Sequence, residues 1–326
     1  MTQLGLFGDQ RPLNFAEESA LLATLPTGLR LGTSSWTFPG WSGLVYPPKT
    51  TEAELRRSGL RRYTEYPLFT TVGIDSSYYR PLQASQLLQY AAQLPAHFRC
   101  VSKAFSGLTT LVDPRSHLPN PHFLDADFCE REVLAPLREH FWSHAGPVVF
   151  EFAPMRHPYW LEPAEFAARL SSFLGKLSKD FSYAVELRNR EFLTPAYAQV
   201  LSRHQVSHVY NYWEQMPGLL EQLEICPAEL GQEGVARLLI PPGQRYAQRK
   251  QAFEPFDRLS DPQPMMRQEL VELALRFNAL KRVLFVLVNN KAEGSSPLTV
   301  RALAGLIAQR VAGAPPGALD DAGRTP

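Results

Sequence analysis

Short apolar segments rich in Val, Ile, Phe and Tyr recur along the chain, and each of them ends in a group of polar residues. Short and nearly continuous apolar runs are typical of parallel strands that are covered on both faces. The pattern predicts eight strands, over residues 29–33, 70–75, 98–103, 148–152, 183–187, 207–211, 236–240 and 283–288.

Segments with helical periodicity lie between these strands. They span residues 52–66, 84–94, 130–144, 163–179, 195–203, 265–280 and 298–308. The alternation of strands and helices implies right-handed parallel crossovers, and eight such units predict a closed (β/α)8 barrel of the TIM type. A doubly wound open sheet is the alternative fold. Its nucleotide-binding form is disfavoured, because no Gly-x-Gly-x-x-Gly or Walker-type loop follows any predicted strand.

The predicted barrel occupies residues 29–311 as a single domain. Residues 1–28 form an N-terminal extension, and residues 312–326, rich in Gly, Ala and Pro, are predicted to be a disordered tail. Two irregular connections, over residues 106–125 and 241–264, are long enough to be binding loops.

Composition narrows the class of protein. The 326 residues include 33 basic and 32 acidic side chains, so no global electrostatic field indicates a nucleic-acid or membrane partner. Cys100, Cys129 and Cys226 are too widely spaced for a disulfide framework or a metal knuckle. The chain has neither the pattern of a signal peptide at its start nor a run of about 20 apolar residues. We therefore expect a cytoplasmic protein without a membrane association.

The segments at the strand ends resemble a known family when they are taken in order. The matching stretches are Leu-Gly-Thr-Ser-Ser-Trp at 31–36, Val-Gly-Ile-Asp-Ser-Ser-Tyr-Tyr-Arg at 72–80, Phe-Arg-Cys-Val-Ser-Lys at 98–103, Tyr-Ala-Val-Glu-Leu-Arg at 183–188 and Val-Asn-Asn at 288–290. Together they resemble the YecE-like family, a domain of unknown function (number 72), over roughly residues 29–307. The resemblance implies a TIM-type barrel. It implies no reaction, because the family has no established one.

In such barrels the side chains at the carboxyl ends of the strands form the ligand site. Three carboxylates at these positions are candidate catalytic residues because they can move protons: Asp75, Glu151 and Glu186. Cations that hold an anion, aromatic rings that stack and polar amides form the candidate ligand-binding set: Trp36, Tyr79, Arg80, Lys103, Arg188, Asn211, Asn289 and Asn290.

Each of these residues also has a structural interpretation. Glu186 and Arg188 are two apart on a strand and point the same way, so they form either a catalytic pair or an ordinary ion pair. Lys103 is a phosphate or carboxylate ligand, or a surface lysine. Tyr79 is part of a stacking surface or is simply packed, and Trp36 lines the site or belongs to the core.

The sequence predicts no metal site. The eight histidines show no His-x-His or His-Glu-x-x-His spacing, although ligands contributed by different strands escape such a test. The cofactor is therefore left unknown, and a divalent metal has no support from spacing. No Gly-x-Ser-x-Gly motif indicates serine hydrolysis.

A short peptide precedes the predicted barrel. Gln3, Leu4, Leu6 and Phe7 resemble the Gln-Leu-x-Leu-Phe peptide by which bacterial replication and repair proteins dock on the DNA sliding clamp. Leu6 and Phe7 would fill an apolar pocket and Gln3 would fix the register. In the alternative interpretation these side chains pack under the barrel.

Three functions fit the sequence. The favoured one is an enzyme that acts on a phosphate-bearing sugar or nucleic acid, including phosphodiester cleavage in DNA repair. The second is a carbohydrate-active hydrolase that uses paired carboxylates at a separation of about 5–9.5 Å. The third is a binding protein without catalysis.

Overall fold

The computed structural model describes residues 13–113 and 116–313. In this part of the chain eight parallel strands pair in sequence order and close into a barrel, with β1 hydrogen-bonded to β8. The strands are β1 (Leu29–Thr33), β2 (Thr71–Ile74), β3 (Cys100–Lys103), β4 (Ala145–Phe152), β5 (Tyr183–Leu187), β6 (Ser207–Tyr212), β7 (Glu233–Leu238) and β8 (Val283–Val288). The predicted TIM-type (β/α)8 fold is confirmed.

Helices surround the barrel. Within the described residues they are α1 (Ala16–Leu22), α2 (Glu52–Tyr63), α3 (Ala84–Ala91), α4 (Ala126–Cys129), α5 (Ala135–His140), α6 (Pro163–Lys176), α7 (Pro195–His204), α8 (Leu219–Ile225), α9 (Tyr246–Phe253), α10 (Pro264–Ala279) and α11 (Ser296–Val311). The sequence did not predict α1, α8 or α9, which are only seven or eight residues long. Helices this short carry too few turns for a clear apolar period.

The predicted extension and tail are described only in part. Residues 13–28 include α1, which lies beside α11 through the pairs of Arg301 with Glu17 and Glu18. The clamp-like peptide at residues 3–7 and most of the tail, residues 314–326, lie outside the described residues. None of the described helices has the length and apolar character that a bilayer crossing requires.

The barrel interior is packed with apolar side chains that form a cluster separate from the layer between strands and helices. Its buried members come from six successive strands: Val101, Val149, Ala184, Val209, Val235, Phe285 and Leu287. Side chains alternate along a strand, so the residue two positions after each of these also faces the barrel axis. This periodicity brings the polar residues near the strand ends into one place.

An ion pair spans the end of the barrel at which the strands begin. Arg99 and Glu233 form a bidentate pair there, and Arg99 also donates to the Ala145 carbonyl oxygen at 3.1 Å. The Arg99 guanidinium carbon lies 5.6 Å from the ring centre of Phe285. The functional end of this fold is the opposite one, where the strands finish.

The predicted bounds of β7 were wrong by several residues. The sequence interpretation placed this strand at 236–240, guided by the apolar run that ends at Ile240, whereas β7 begins at Glu233 and ends at Leu238. The backbone N–H groups of Leu239 and Ile240 leave the ladder and donate to the Tyr212 carbonyl oxygen at 3.2 and 3.0 Å. As a result Arg237 lies inside the strand rather than near its beginning.

Candidate active site

Six charged side chains converge at the mouth of the barrel and form what we call the mouth cluster. Its members are Asp75, Lys103, Glu151, Glu186, Arg188 and Arg237. Four of them stand two residues after an interior apolar residue, as Lys103 stands after Val101 and Arg237 after Val235. The period of two along each strand therefore explains why they meet.

Arg237 lies at the centre of the mouth cluster. Its Nη1 donates to Glu186 Oε2 at 2.6 Å and to Glu151 Oε2 at 3.0 Å. Its Nη2 donates to both carboxylate oxygens of Asp75, at 2.9 and 3.2 Å. Burial of the guanidinium opposes its charge, but Asp75, Glu186 and Glu151 outweigh that effect and raise the pKa of Arg237 above its ordinary value. Arg237 thus holds carboxylates from three strands together.

Glu151 is surrounded by cations. Lys103 Nζ lies 2.8 Å from Glu151 Oε2, and Arg188 Nη2 lies 3.2 Å from the same oxygen. Burial alone would raise the pKa of Glu151, but Arg188, Lys103 and Arg237 together hold it well below the ordinary range. Glu151 therefore stays ionised at neutral pH, which suits a group that positions cations better than one that donates a proton.

Asp75 is the most open carboxylate of the mouth cluster. Its side chain is 28% exposed, against 11% for Glu151 and none for Glu186. The Asp75 Oδ2 atom is 2.9 Å from Arg237 and 3.4 Å from Lys103. Asp75 directly follows β2 and Glu151 lies on β4, and Lys103 on the intervening β3 bridges them. A ligand that enters the barrel mouth therefore meets Asp75 before it meets the other two carboxylates.

Arg188 has unused hydrogen-bonding capacity. Its Nη2 lies 2.6 Å from Glu186 Oε1, and the ring centre of Trp213 lies 4.0 Å from its guanidinium carbon. The buried Nε and Nη1 of Arg188 have no hydrogen-bond acceptor among the described residues, and the same is true of Trp213 Nε1. Buried donors of this kind are normally satisfied by protein, water or a ligand. Trp213 covers these donors from above.

Aromatic rings line the rim near Lys103. The Lys103 ammonium lies 4.9 Å from the ring centre of Tyr78, and burial, followed by the charge of Glu151, raises the pKa of the Tyr78 hydroxyl. Tyr79 packs edge-on against Tyr78 and is 78% exposed. Arg80 follows it and is also exposed. Tyr79 and Arg80 therefore project outside the mouth cluster, at positions where a larger ligand could contact them.

Two of the remaining candidate residues, Trp36 and Asn290, lie apart from the mouth cluster. Trp36 is nearly buried and packs edge-on against Tyr90. Asn290 accepts hydrogen bonds from Trp41 Nε1 and from the Ser296 backbone N–H. Each of these two residues thus supports the wall of the barrel.

The other two amides lie at the ends of β6 and β8. Asn211 is fully buried and donates to the Leu187 carbonyl oxygen at 2.8 Å, and it pairs with Arg237 in the ladder between β6 and β7. Its Oδ1 has no hydrogen-bond donor in the described part of the chain. Asn289 is half-buried and accepts from the Lys291 backbone N–H. Of these four residues, only Asn211 adjoins the mouth cluster.

Sequence reasoning missed two residues of the site. Arg237 was overlooked because the predicted strand was shifted, so that its side chain seemed to lie far from the strand end. The signal was present in the sequence, since an arginine inside a run of otherwise apolar residues requires a buried counter-charge. Trp213 follows β6 by one residue and was outside the predicted strand.

Side chains suited to a metal ion do not gather in the described part of the chain. Among residues 13–113 and 116–313, no group of three or more His, Cys, Asp or Glu side chains could hold a metal ion. The carboxylates of the mouth cluster are instead neutralised by arginine and lysine.

Comparisons with known proteins agree with the fold. A protein family described as "Protein of unknown function DUF72" matches residues 30–320. A crystal structure of a DUF72 family protein from Enterococcus faecalis V583 is 19% identical, with a TM-score of 0.58 over 90% of this chain and 100% of that chain. A DUF72 family protein from Thermotoga maritima MSB8 is 20% identical, with a TM-score of 0.55 over 85% of this chain and 99% of that one. No curated protein matches the sequence.

Proposed function

The chain belongs to the DUF72 family of proteins of unknown function, and we propose from the site itself that it is an enzyme acting on a phosphate-bearing sugar or nucleic acid. The observation that carries the proposal is that cations of the mouth cluster have hydrogen-bond donors that a ligand could use. Arg188 has two buried N–H donors without an acceptor among the described residues, and Lys103, which pairs with Glu151 at 2.8 Å, lies 3.4 Å from the more open Asp75. Guanidinium and ammonium groups with spare donors are suited to phosphate oxygens.

Binding would proceed by exchange of one anion for another. The mouth cluster contains three cations and three carboxylates, so it has no net charge to attract a phosphate at long range. A phosphate at the opening would compete with the exposed carboxylate of Asp75 for Lys103, and would accept from Arg188 when Trp213 moves aside.

This exchange gives Asp75 a chemical role. A carboxylate released from its ion pair is more basic than a paired one and can accept the proton of an attacking water. In phosphodiester cleavage the water oxygen would bond to phosphorus, its proton would pass to Asp75, and the leaving oxygen would take a proton from solvent. Glu151 and Glu186, which are more buried, would hold the cations in place.

The test measures binding of inorganic phosphate and of ribose 5-phosphate by calorimetry. Lys103→Met should weaken binding at least tenfold, because it removes a charge-assisted contact. Asp75→Asn should strengthen binding, because it removes the competing anion, and should abolish any turnover of phosphodiester substrates. Arg276→Met is the matched control, since this arginine is half-exposed and pairs with Glu229 away from the barrel mouth.

Two results would refute the proposal. The first is an absence of phosphate and sugar-phosphate binding at millimolar concentration by a folded protein. The second is equal affinity in the parent protein and in the Lys103→Met and Asp75→Asn variants, which would place the bound anion elsewhere.

The carbohydrate-hydrolase alternative receives less support from the geometry. Glu151 and Glu186 contact the same Arg237 nitrogen, at 3.0 and 2.6 Å, so they are close enough for a pair of catalytic carboxylates. A glycosidase acid must, however, carry a proton at its working pH. The lowered pKa of Glu151 removes it from that role.

The N-terminal peptide leads to a separate proposal, that this enzyme docks on a bacterial DNA sliding clamp through Gln3, Leu4, Leu6 and Phe7. The proposal rests on the sequence alone. Surface plasmon resonance with purified clamp should detect binding by the full chain and at least tenfold weaker binding by a Leu6→Ala and Phe7→Ala double variant. Equal responses of the two proteins, or none from either, would contradict docking by this peptide.

A further inference from the structure

A lysine outside the mouth cluster occupies an unusual position after β8. Lys291 is only 4% exposed, and its ammonium nitrogen lies 4.4 Å from the ring centre of Tyr246 and 5.4 Å from that of Phe256. No carboxylate forms an ion pair with it in the described part of the chain. Buried lysines usually have such a partner, because an unpaired charge is costly in an apolar environment.

Hydrogen bonds from α9 hold the backbone around Lys291. Arg249 on α9 is buried and donates to the Lys291 carbonyl oxygen at 2.6 Å and to the Ala292 carbonyl oxygen at 2.7 Å. Its third contact is an ion pair with Asp261 at 2.7 Å. These contacts fasten α9 against the segment after β8. The aromatic walls around the amine are thereby held in place by a helix that the sequence did not predict.

The charges around the amine favour its neutral form. Burial, with a smaller contribution from Lys250 on α9 and against the opposing charge of Glu254 after that helix, lowers the pKa of Lys291 to about 8. At pH 7.5 an amine with this pKa is roughly one-quarter neutral, against about one in a thousand for an ordinary lysine. A neutral amine is the form that attacks a carbonyl carbon.

We propose that Lys291 is a carbonyl-reactive amine that forms a Schiff base with a small aldehyde or ketone carrying an anionic group. The lysine stands at the carboxyl end of β8, the end of the barrel where ligands bind in this fold. Tyr246, half of whose surface is exposed, is the wall between the amine and solvent. Of the two charged side chains that act on the amine, Lys250 has a larger effect than the opposing Glu254, and this excess of positive charge favours an anionic carbonyl compound over a neutral one. The proposal does not depend on the mouth cluster.

Formation of the Schiff base requires only the amine of Lys291 and the carbonyl compound. The nitrogen of the neutral Lys291 amine bonds to the carbonyl carbon, both of its protons are transferred through solvent to the carbonyl oxygen, and that oxygen leaves as water to give an imine. In the laboratory, cyanoborohydride donates a hydride to the imine carbon and converts the adduct into a stable secondary amine. The adduct is then located by peptide mapping and mass spectrometry.

The first experiment traps the adduct in the full-length protein with D-glyceraldehyde 3-phosphate and cyanoborohydride at pH 7.5. Lys291 should be modified at least tenfold faster than Lys281, an exposed lysine that precedes β8 and serves as the internal reference. D-Glyceraldehyde, which lacks the phosphate, should react more slowly at Lys291. Modification of Lys291 no faster than that of Lys281 would overturn the proposal that Lys291 is a reactive amine. Equal rates with both aldehydes would overturn the preference for a carbonyl compound that carries an anionic group.

The second experiment separates a reactive amine from a structural cation held over two rings. Competitive acetylation of the parent protein as a function of pH should give a midpoint near 8 for Lys291. Lys250→Met should move that midpoint upward, and Glu254→Gln should move it downward, because the two side chains act on the amine with opposite sign. Shifts in the same direction, or none, would contradict the proposal. Lys291→Arg keeps a cation over the rings, so it should fold normally and lose the trapped adduct.

Discussion

Replacement of Arg237 by methionine is the most direct test of how the mouth cluster is held together. The side chain is 1% exposed and contacts Asp75, Glu151 and Glu186. Methionine has a similar length and fills much of the space, so the main change is the loss of a charge. The three carboxylates would keep only Lys103 and Arg188 as counter-charges.

The expected cost is large because the remaining carboxylates are buried. Removal of one partner from a buried ion pair destabilises a protein by about 3–5 kcal/mol, since the other charge is left without compensation. An exposed pair contributes less than about 1 kcal/mol. Arg276→Met, which breaks the half-exposed pair with Glu229, is therefore the reference. We expect Arg237→Met to lower the free energy of unfolding by about 4 kcal/mol.

The pH dependence of the stability lost in Arg237→Met shows whether the loss comes from charge or from packing. The folded-state pKa of Glu151 is depressed, so this group contributes stability that is present above its unfolded pKa and is lost as the pH falls through the folded pKa. Without Arg237 the folded-state pKa of Glu151 rises. The folded variant then binds a proton at a higher pH than the parent protein does, so the stability difference between them should narrow on acidification.

Equilibrium unfolding in urea measures both quantities, at pH 7 and at pH 4.5. A loss at pH 7 no larger than that of the Arg276→Met reference would refute the view that Arg237 holds the three carboxylates. A large loss that stays constant between the two pH values would assign the effect to packing instead of to charge. Circular dichroism on both variants establishes that each starts from a folded state.

Three further predictions concern stability. His208 is buried and neutral, and burial lowers its pKa to about 4, so the unfolded chain binds a proton first on acidification. Unfolding in urea should show about 2 kcal/mol of stability lost between pH 7 and pH 5, and His208→Gln should reduce that loss. Thr51 caps α2 through the Glu54 backbone N–H, and Thr51→Ala should cost about 1 kcal/mol in the same assay. A Cβ atom at Gly32 would lie 1.9 Å from the Thr71 carbonyl oxygen, so Gly32→Ala should lower the thermal midpoint and cost about 3 kcal/mol. Unchanged unfolding curves would contradict each prediction in turn.

The fold could be predicted because the hydrophobic patterns of buried strands and of amphipathic helices alternate along the chain. Each buried strand is a short apolar run, and longer helices such as α6 and α7 carry a clear helical period. The closure of the barrel follows from eight such units in sequence order. Helices α8 and α9 escaped prediction because each spans only about two turns, and α9 also lies in the irregular connection 241–264.

The candidate site was predicted in part, and the reason is geometric. Asp75, Lys103 and Glu186 meet because a residue that ends a strand and faces inward must lie at the barrel mouth. Asn289 and Asn290 directly follow β8, but their side chains accept hydrogen bonds from neighbouring backbone N–H groups and do not join the mouth cluster. Sequence position shows where a side chain starts but not which hydrogen bonds it then makes.

Arg237 shows how an error in register propagates to function. A shift of the predicted β7 by a few residues moved this arginine from the mouth of the barrel to the start of the strand, so the predicted site lacked the cation that contacts all three carboxylates. Such a set would include a carboxylate of raised pKa, as a general acid requires, because like charges and burial both favour protonation. In the structure Arg188, Lys103 and Arg237 together hold Glu151 ionised instead. Glu151 is therefore unsuited to be a glycosidase acid because of three cations, of which the sequence position revealed Lys103 and Arg188 but not Arg237.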